Sequence, residues 1–214
     1  MLNTRTHMWK VVLFVVFVSI AGPALAGPPL LCHPFETGTA SLLPWGKQAV
    51  WNAPDSAYDI HHLTADTVRL LAGDAPILAR MENLRRATIY AARDKVIAHE
   101  LLATVLGRAL AAAAGANDPR AWFDAAYLVE AYRQASFIQQ NMAGSDKRLW
   151  TIDGAPSGVN GYVLMTKAMA LAGPSSEMEF AASLMSEGGI AAGHRARAIA
   201  AAQRGSLVAL NLSR

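Results

Sequence analysis

Cysteine is nearly absent from this chain: Cys32 is the single thiol among 214 residues. No intramolecular disulfide framework can form, and a haem-attachment Cys-x-x-Cys-His is excluded by the count. Charged residues are scarce as well, at 16%, and β-branched runs are few beyond residue 62, which removes the side chains that favour strands. Also missing are a Gly-x-Ser-x-Gly elbow, a phosphate loop and a dinucleotide fingerprint, so none of the chemistries built on those motifs is indicated. A zinc-peptidase motif begins at His99-Glu100 but meets Ala103 where its second imidazole belongs. The two rings that would grip one metal from adjacent helical turns are not both there, and His99-Glu100 reads as a polar edge of a helical interface.

What is present first is an export address. Arg5, His7 and Lys10 lead into an apolar run over residues 11–20, followed by Gly22-Pro23 and then Ala24-Leu25-Ala26. Basic, apolar and small residues in that order make a secretory signal peptide over 1–26, with cleavage expected after Ala26. Residues 11–31 carry no charge and are long enough for a bilayer span, so the alternative is a membrane anchor formed by an uncleaved N-terminus. Pro23, Pro28 and Pro29 fall in the second half of that stretch, where each interior proline costs a helix about 3 kcal/mol. The expected location is therefore exported, periplasmic or extracellular, with the membrane touched only transiently through the signal peptide.

Removing 1–26 takes away Arg5 and Lys10 and no acid, which leaves 17 basic and 16 acidic residues. A chain so close to neutral lacks the basic surplus by which a nucleic-acid binder neutralises phosphates, and no nucleic-acid partner is expected. The 188 residues that remain suit one compact domain.

Residues 27–62 hold Pro28, Pro29, Pro34, Pro44 and Pro54, the indoles Trp45 and Trp51, and His61-His62; they read as an extended arm. Residues 63–214 are rich in alanine and leucine and are cut by glycine and proline into pieces of helical length. Apolar spacing predicts helices over 64–73, 74–93, 94–114, 119–141 and 159–172, another from 176, and a last one over 190–204. Asp118 before Pro119 is the clearest start, and Ser176 with Glu179 matches a capping box. The third helix carries Ile97, Leu101 and Val105 beside Leu102, Leu106 and Leu110 and is expected to be central. The fold class is all-α: about six or seven helices in antiparallel hairpins, tetratricopeptide-like or an irregular bundle, with an N-terminal arm.

Two groups of side chains are candidate binding residues. Trp45 and Trp51 offer flat apolar faces for a sugar or peptide, or pin the arm to the helices. Glu82, Arg86 and Tyr90 recur at i, i+4 and with Arg85 and Arg93 could present a cationic groove to a carboxylate-bearing partner. The competing and favoured reading is a solvated face whose ion pair contributes about 0.3–0.5 kcal/mol. The one cluster of metal-ligand types is Cys32, His33, His61 and His62, near Asp55 and Asp59. Its spacing fits no structural zinc site, and neighbours in extended chain point in opposite directions, so neither metal nor cofactor is expected.

Leu84-x-x-Ala87 and Trp122-x-x-Ala125 lie 38 residues apart, and Tyr127 and Tyr162 lie 35 apart, a period within the range of helical repeats. On these positions residues 64–204 resemble degenerate tetratricopeptide-type or related α-solenoid units, though no segment carries the Trp, Leu-Gly, Tyr, Ala, Phe and Pro positions together. The resemblance implies a non-catalytic binding or scaffold role toward peptide or protein. The alternative is an exported enzyme with a dispersed His/Glu site, metal-dependent or not, drawn from the arm histidines and Glu100. The export reading makes a direct prediction: intact mass of the exported protein should place its N-terminus at Gly27, and a full-length chain held in the membrane would overturn it.

Overall fold

The computed structural model describes residues 29–48, 50–115, 117–141, 150–173 and 175–214; the expected signal peptide and its cleavage point lie outside them. The protein is all-α, with no strand among the described residues. A 3-10 turn at Ile60–His62 leads into α1 (Leu63–Leu70), α2 (Ile77–Ala91), α3 (Lys95–Ala114), α4 (Pro119–Asn141), α5 (Gly161–Ala172), α6 (Ser176–Met185), α7 (Gly188–Ala201) and α8 (Leu207–Leu212). The eighth helix exceeds the expected number because six residues are too few to show a 3.6-residue period.

Helix starts follow local capping chemistry. Asp94 Oδ1 accepts from the amides of Val96 at 2.8 Å and Ile97 at 3.1 Å, Asp118 accepts from Arg120, and Asn160 accepts from Val163. Each satisfies first-turn donors that the helix cannot. The expected capping box at α6 is corrected by one residue and one partner. Ser175 is the cap, accepting from the Met178 amide, and the Glu179 carboxylate is drawn instead to His194 and Arg197, whose charge-assisted bonds are stronger than a neutral amide's.

The centre of the molecule is α4 with α2, which corrects the expectation for α3. Fourteen of the 23 residues of α4 are buried, as are 13 of the 15 in α2, against six of 20 in α3. The α3 helix is apolar on average although it carries Lys95, His99, Glu100 and Arg108, and length and composition alone would let it cross a membrane. It nevertheless seats Ile97, Leu101, Leu102 and Val105 inward while Leu110 stays 66% exposed. Helices pack as neighbours: α4 against α2, α3 and α5, and α6 against α7. The start of α5 lies so close to α4 that a Cβ at Gly161 would come within 2.6 Å of the Ala126 carbonyl and 2.5 Å of Glu130 Cγ, so only glycine fits there. The Gly161 amide donates to Glu130 Oε1 at 2.9 Å.

The arm is woven into this core. Leu30, Leu31, Phe35 and Leu43 belong to the main hydrophobic cluster, and Trp45 and Trp51 meet Tyr90 and Trp150 edge to face at 5.9 and 6.0 Å. Core position sets the cost of truncation. Denaturant melts should show Phe123→Ala losing about 3–5 kcal/mol and Leu102→Ala about 2–5 kcal/mol, whereas Leu110→Ala should stay within about 0.5 kcal/mol.

Candidate functional site

The charges on α2 do not face water, which corrects the solvated-face reading. Glu82 and Arg85 are 1% and 0% exposed, and what covers them is the arm. Glu82 accepts from Arg85 through both oxygens, Nε at 2.7 Å and Nη2 at 2.9 Å. It also accepts from Arg86 Nε at 2.7 Å and from the Phe35 amide at 3.1 Å. Arg85 Nη1 then donates to the carbonyls of Leu31 and Trp51, and Arg86 donates to that of Leu43. Asn83 accepts from the Leu43 amide at 2.8 Å and donates to the Ser41 carbonyl. Tyr90 donates its hydroxyl proton to Pro44 and accepts from the Asp55 amide. Residues at i, i+1, i+3, i+4 and i+8 of one helix thus supply hydrogen-bond partners to an arm that has no ladder of its own.

This clamp leaves a cleft of about 570 Å³ between α2 and the arm. Five of the six sequence candidates line it: Trp45, Trp51, Glu82, Arg85 and Arg86, joined by Cys32. Tyr90 is the exception, buried behind Trp45. The guanidiniums of Arg85 and Arg86 lie 4.9 and 5.4 Å from the Trp45 ring centre, a cation–π arrangement. Arg85 is fully enclosed, but 17% of the Arg86 side chain stays exposed, making it the cation that a bound group can reach. Burial pushes the Cys32 thiol up to about 11, partly offset by Arg85, so it is a protonated wall of the cleft and not a thiolate.

The metal-ligand types are dispersed. Cys32 faces the α2 cleft, His33 lines a separate cleft, and His61 and His62 are exposed on the 3-10 turn. Among the described residues no three His, Cys, Asp or Glu side chains converge. His99 and Glu100 are also exposed, with His99 beside Asp153 at 3.5 Å; the arm histidines and Glu100, named for the alternative of a dispersed His/Glu site, do not converge.

A different histidine does meet a carboxylate. His194 on α7 is 5% exposed; its Nδ1 lies 2.6 Å from Glu179 Oε2, and its Nε2 lies 2.7 Å from the Tyr162 hydroxyl. Arg197 donates from Nε to the other Glu179 oxygen at 2.9 Å, and its Nη2 also approaches Nδ1. Nδ1 thus meets both an acceptor, the Glu179 carboxylate, and a donor, Arg197 Nη2; since an ionised carboxylate has no proton of its own, the tautomer with the hydrogen on Nδ1 serves Glu179 and forgoes Arg197. In the neutral ring Nε2 is then left to accept from Tyr162. Burial would raise Glu179, but bonds from Arg197 and His194 outweigh it and hold the carboxyl low. Tyr162 forms part of the wall of a cleft of about 580 Å³ shared with Glu130, Arg133, Gln134 and Glu187. The three residues stand 15 to 32 positions apart, and no spacing rule links them in the sequence.

One further buried pair sits below the clamp: Arg80 Nη1 donates to Asp124 Oδ2 at 2.7 Å, both side chains 2% exposed. Burial outweighs Arg80 and pushes Asp124 up to about 7, and its Oδ1 is buried without a partner among the described residues, the atom on which a proton would sit. Glu82 goes the other way. Burial raises it, but Arg85, Arg86 and the Phe35 amide together hold it below the ordinary glutamate range.

These two carboxyls act on stability with opposite signs. Glu82 contributes stability at neutral pH that is lost as pH falls through the carboxylate range. Asp124 keeps its proton longer in the folded chain than its usual 3.8 allows, so its contribution is fullest in acid and is lost as pH rises toward 7. Melts across about pH 5 to 8 should show Asp124→Asn flattening that decline, while Glu82→Gln, by breaking a buried ion pair, should cost about 3–5 kcal/mol at pH 7.

No protein-family model, curated protein or solved structure matches this chain, so the clefts are read from their own geometry.

Proposed function

We propose that the protein is exported to the periplasm or extracellular space and works by binding peptide or protein, without catalysis. The observation that carries this reading is the α2 cleft, where two indoles and the reachable Arg86 converge on one recess. Aromatic faces with a guanidinium suit a ligand that pairs an apolar side chain with a carboxylate, such as an acidic peptide segment or a peptide C-terminus. Helix pairs resembling degenerate tetratricopeptide units accord with a scaffold role, and so does a mature chain with little net charge.

Peptides selected from a displayed random library on the purified protein should be enriched in a carboxylate next to an aromatic or aliphatic residue. Their affinity should fall about tenfold, or about 1.4 kcal/mol, in Arg86→Gln with its far-UV spectrum unchanged. No enrichment, or binding indifferent to Arg86, would refute the reading.

A second reading is favoured by one observation, the carboxylate–imidazole–hydroxyl order of Glu179, His194 and Tyr162 beside a cleft. That order lets an imidazole of fixed tautomer take a hydroxyl proton. Hydrolysis of activated esters that disappears in His194→Gln and survives in Arg86→Gln would favour an enzyme over a binding protein.

A further inference from the structure

A third cleft, of about 390 Å³, opens where the start of the arm meets α6, α7 and α8. Its floor is apolar: Phe35 and Phe180 meet edge to face with ring centres 6.0 Å apart, and Leu184 lies beside them. Its rim is basic, formed by His33, Arg195 and Arg214. Each of the four other clefts described carries at least one carboxylate in its wall, whether Glu130 and Glu187, Glu82, Glu177 and Glu179, or Asp55. This one has none.

The two arginines differ in what they have left to offer. Arg214 is paired with Glu36 across the rim. Arg195 donates one Nη2 proton to the Leu212 carbonyl at 2.6 Å and makes no ion pair among the described residues, so most of its donor fork is free. The contrast with Arg85 is instructive, since every nitrogen of that buried guanidinium is spent on Glu82 and on arm carbonyls. A guanidinium with unused donors at the lip of an apolar recess favours an anion whose remaining body is hydrocarbon, and the recess is of a size that holds a small molecule.

We propose that this cleft binds a small amphipathic carboxylate: its head group on Arg195, with Arg214 and the His33 ring beside it, and its apolar body on Phe35, Phe180 and Leu184. Pro34 borders both this cleft and the α2 cleft, but the side chains that recognise the ligand differ, Arg195 and Phe180 here against Arg86 and the two indoles there, so the two sites are tested by separate substitutions.

Isothermal titration of the purified protein with decanoate, kept below its micellar concentration, tests it. One saturable site is expected, weakened by added salt because the head-group contact is partly exposed. Decanol should bind at least about tenfold more weakly, and Arg195→Gln should reduce decanoate affinity by about tenfold. Arg204→Gln, which lies outside the cleft, should leave it unchanged. Circular dichroism checks that each variant is folded; should Arg195→Gln fail that check, Arg214→Gln must weaken decanoate in its place. The absence of saturable binding, equal binding of decanol, or affinity that survives loss of the rim arginine would overturn the proposal.

Discussion

Glu82 is one carboxylate serving two guanidiniums and a backbone amide in an interior closed to water. A buried anion is tolerable only when its lone pairs are filled and its charge is matched, and a buried arginine only when its donors are used. The arm supplies what the helix lacks. Carbonyls of Leu31, Leu43 and Trp51 take the arginine protons left over from Glu82, and the Phe35 amide takes a lone pair. The dependence runs both ways: an arm without secondary structure of its own would bury unpaired amides and carbonyls, and α2 without the arm would expose an apolar surface studded with charges. Neither is a stable surface alone, which is why Leu30, Leu31, Phe35 and Leu43 sit in the core in spite of the arm's irregular backbone.

The clefts follow from that arrangement. An extended segment laid over helices cannot fill the spaces between them as another helix would, and the recesses lie along its two margins. On one margin the indoles of the arm and Arg86 face each other; on the other, Phe35 turns its ring to Phe180 while the polar side chains of the last turns stand around it. The Glu179, His194 and Tyr162 chain lies farther out and ties α5, α6 and α7 together. It joins three short helices by hydrogen bonds between their side chains.

How much of this could be read from the residues depended on how local the deciding force was. The starts at Asp94 and at Asp118-Pro119 were legible because a cap and the amides it satisfies lie within three residues. The class was legible too, since alanine, leucine and sparse β-branching leave few alternatives to helix. The α2 charges were misread for the converse reason: spacing at i and i+4 says that Glu82 and Arg86 share a side of the helix, but not that residues some 30 to 55 positions upstream will cover that side. By the same limit, Trp45, Trp51, Glu82, Arg85 and Arg86 do come together on one cleft, while the environment assigned to the charged ones was wrong. The prominence given to α3 came from counting two apolar rows as one buried surface: Ile97, Leu101 and Val105 face inward with Leu102, whereas Leu106 is half-buried and Leu110 exposed. Glu179 was assigned to its nearest donor, although a charged pair from α7 was the stronger claimant.

Leu30 also sets a condition on the proposed export. Its amide is bound by Gln134 and its carbonyl by Tyr127, and both Leu30 and Leu31 are wholly enclosed. If the proposed leader is cut after Ala26, only Gly27, Pro28 and Pro29 separate the severed bond from that enclosed backbone. A peptidase works on extended chain, so under that proposal the cut would come before the arm closes over α2. Folding and maturation would then compete for the same residues: a chain threading a membrane unfolded would expose the bond in time, and one that folded first would conceal it.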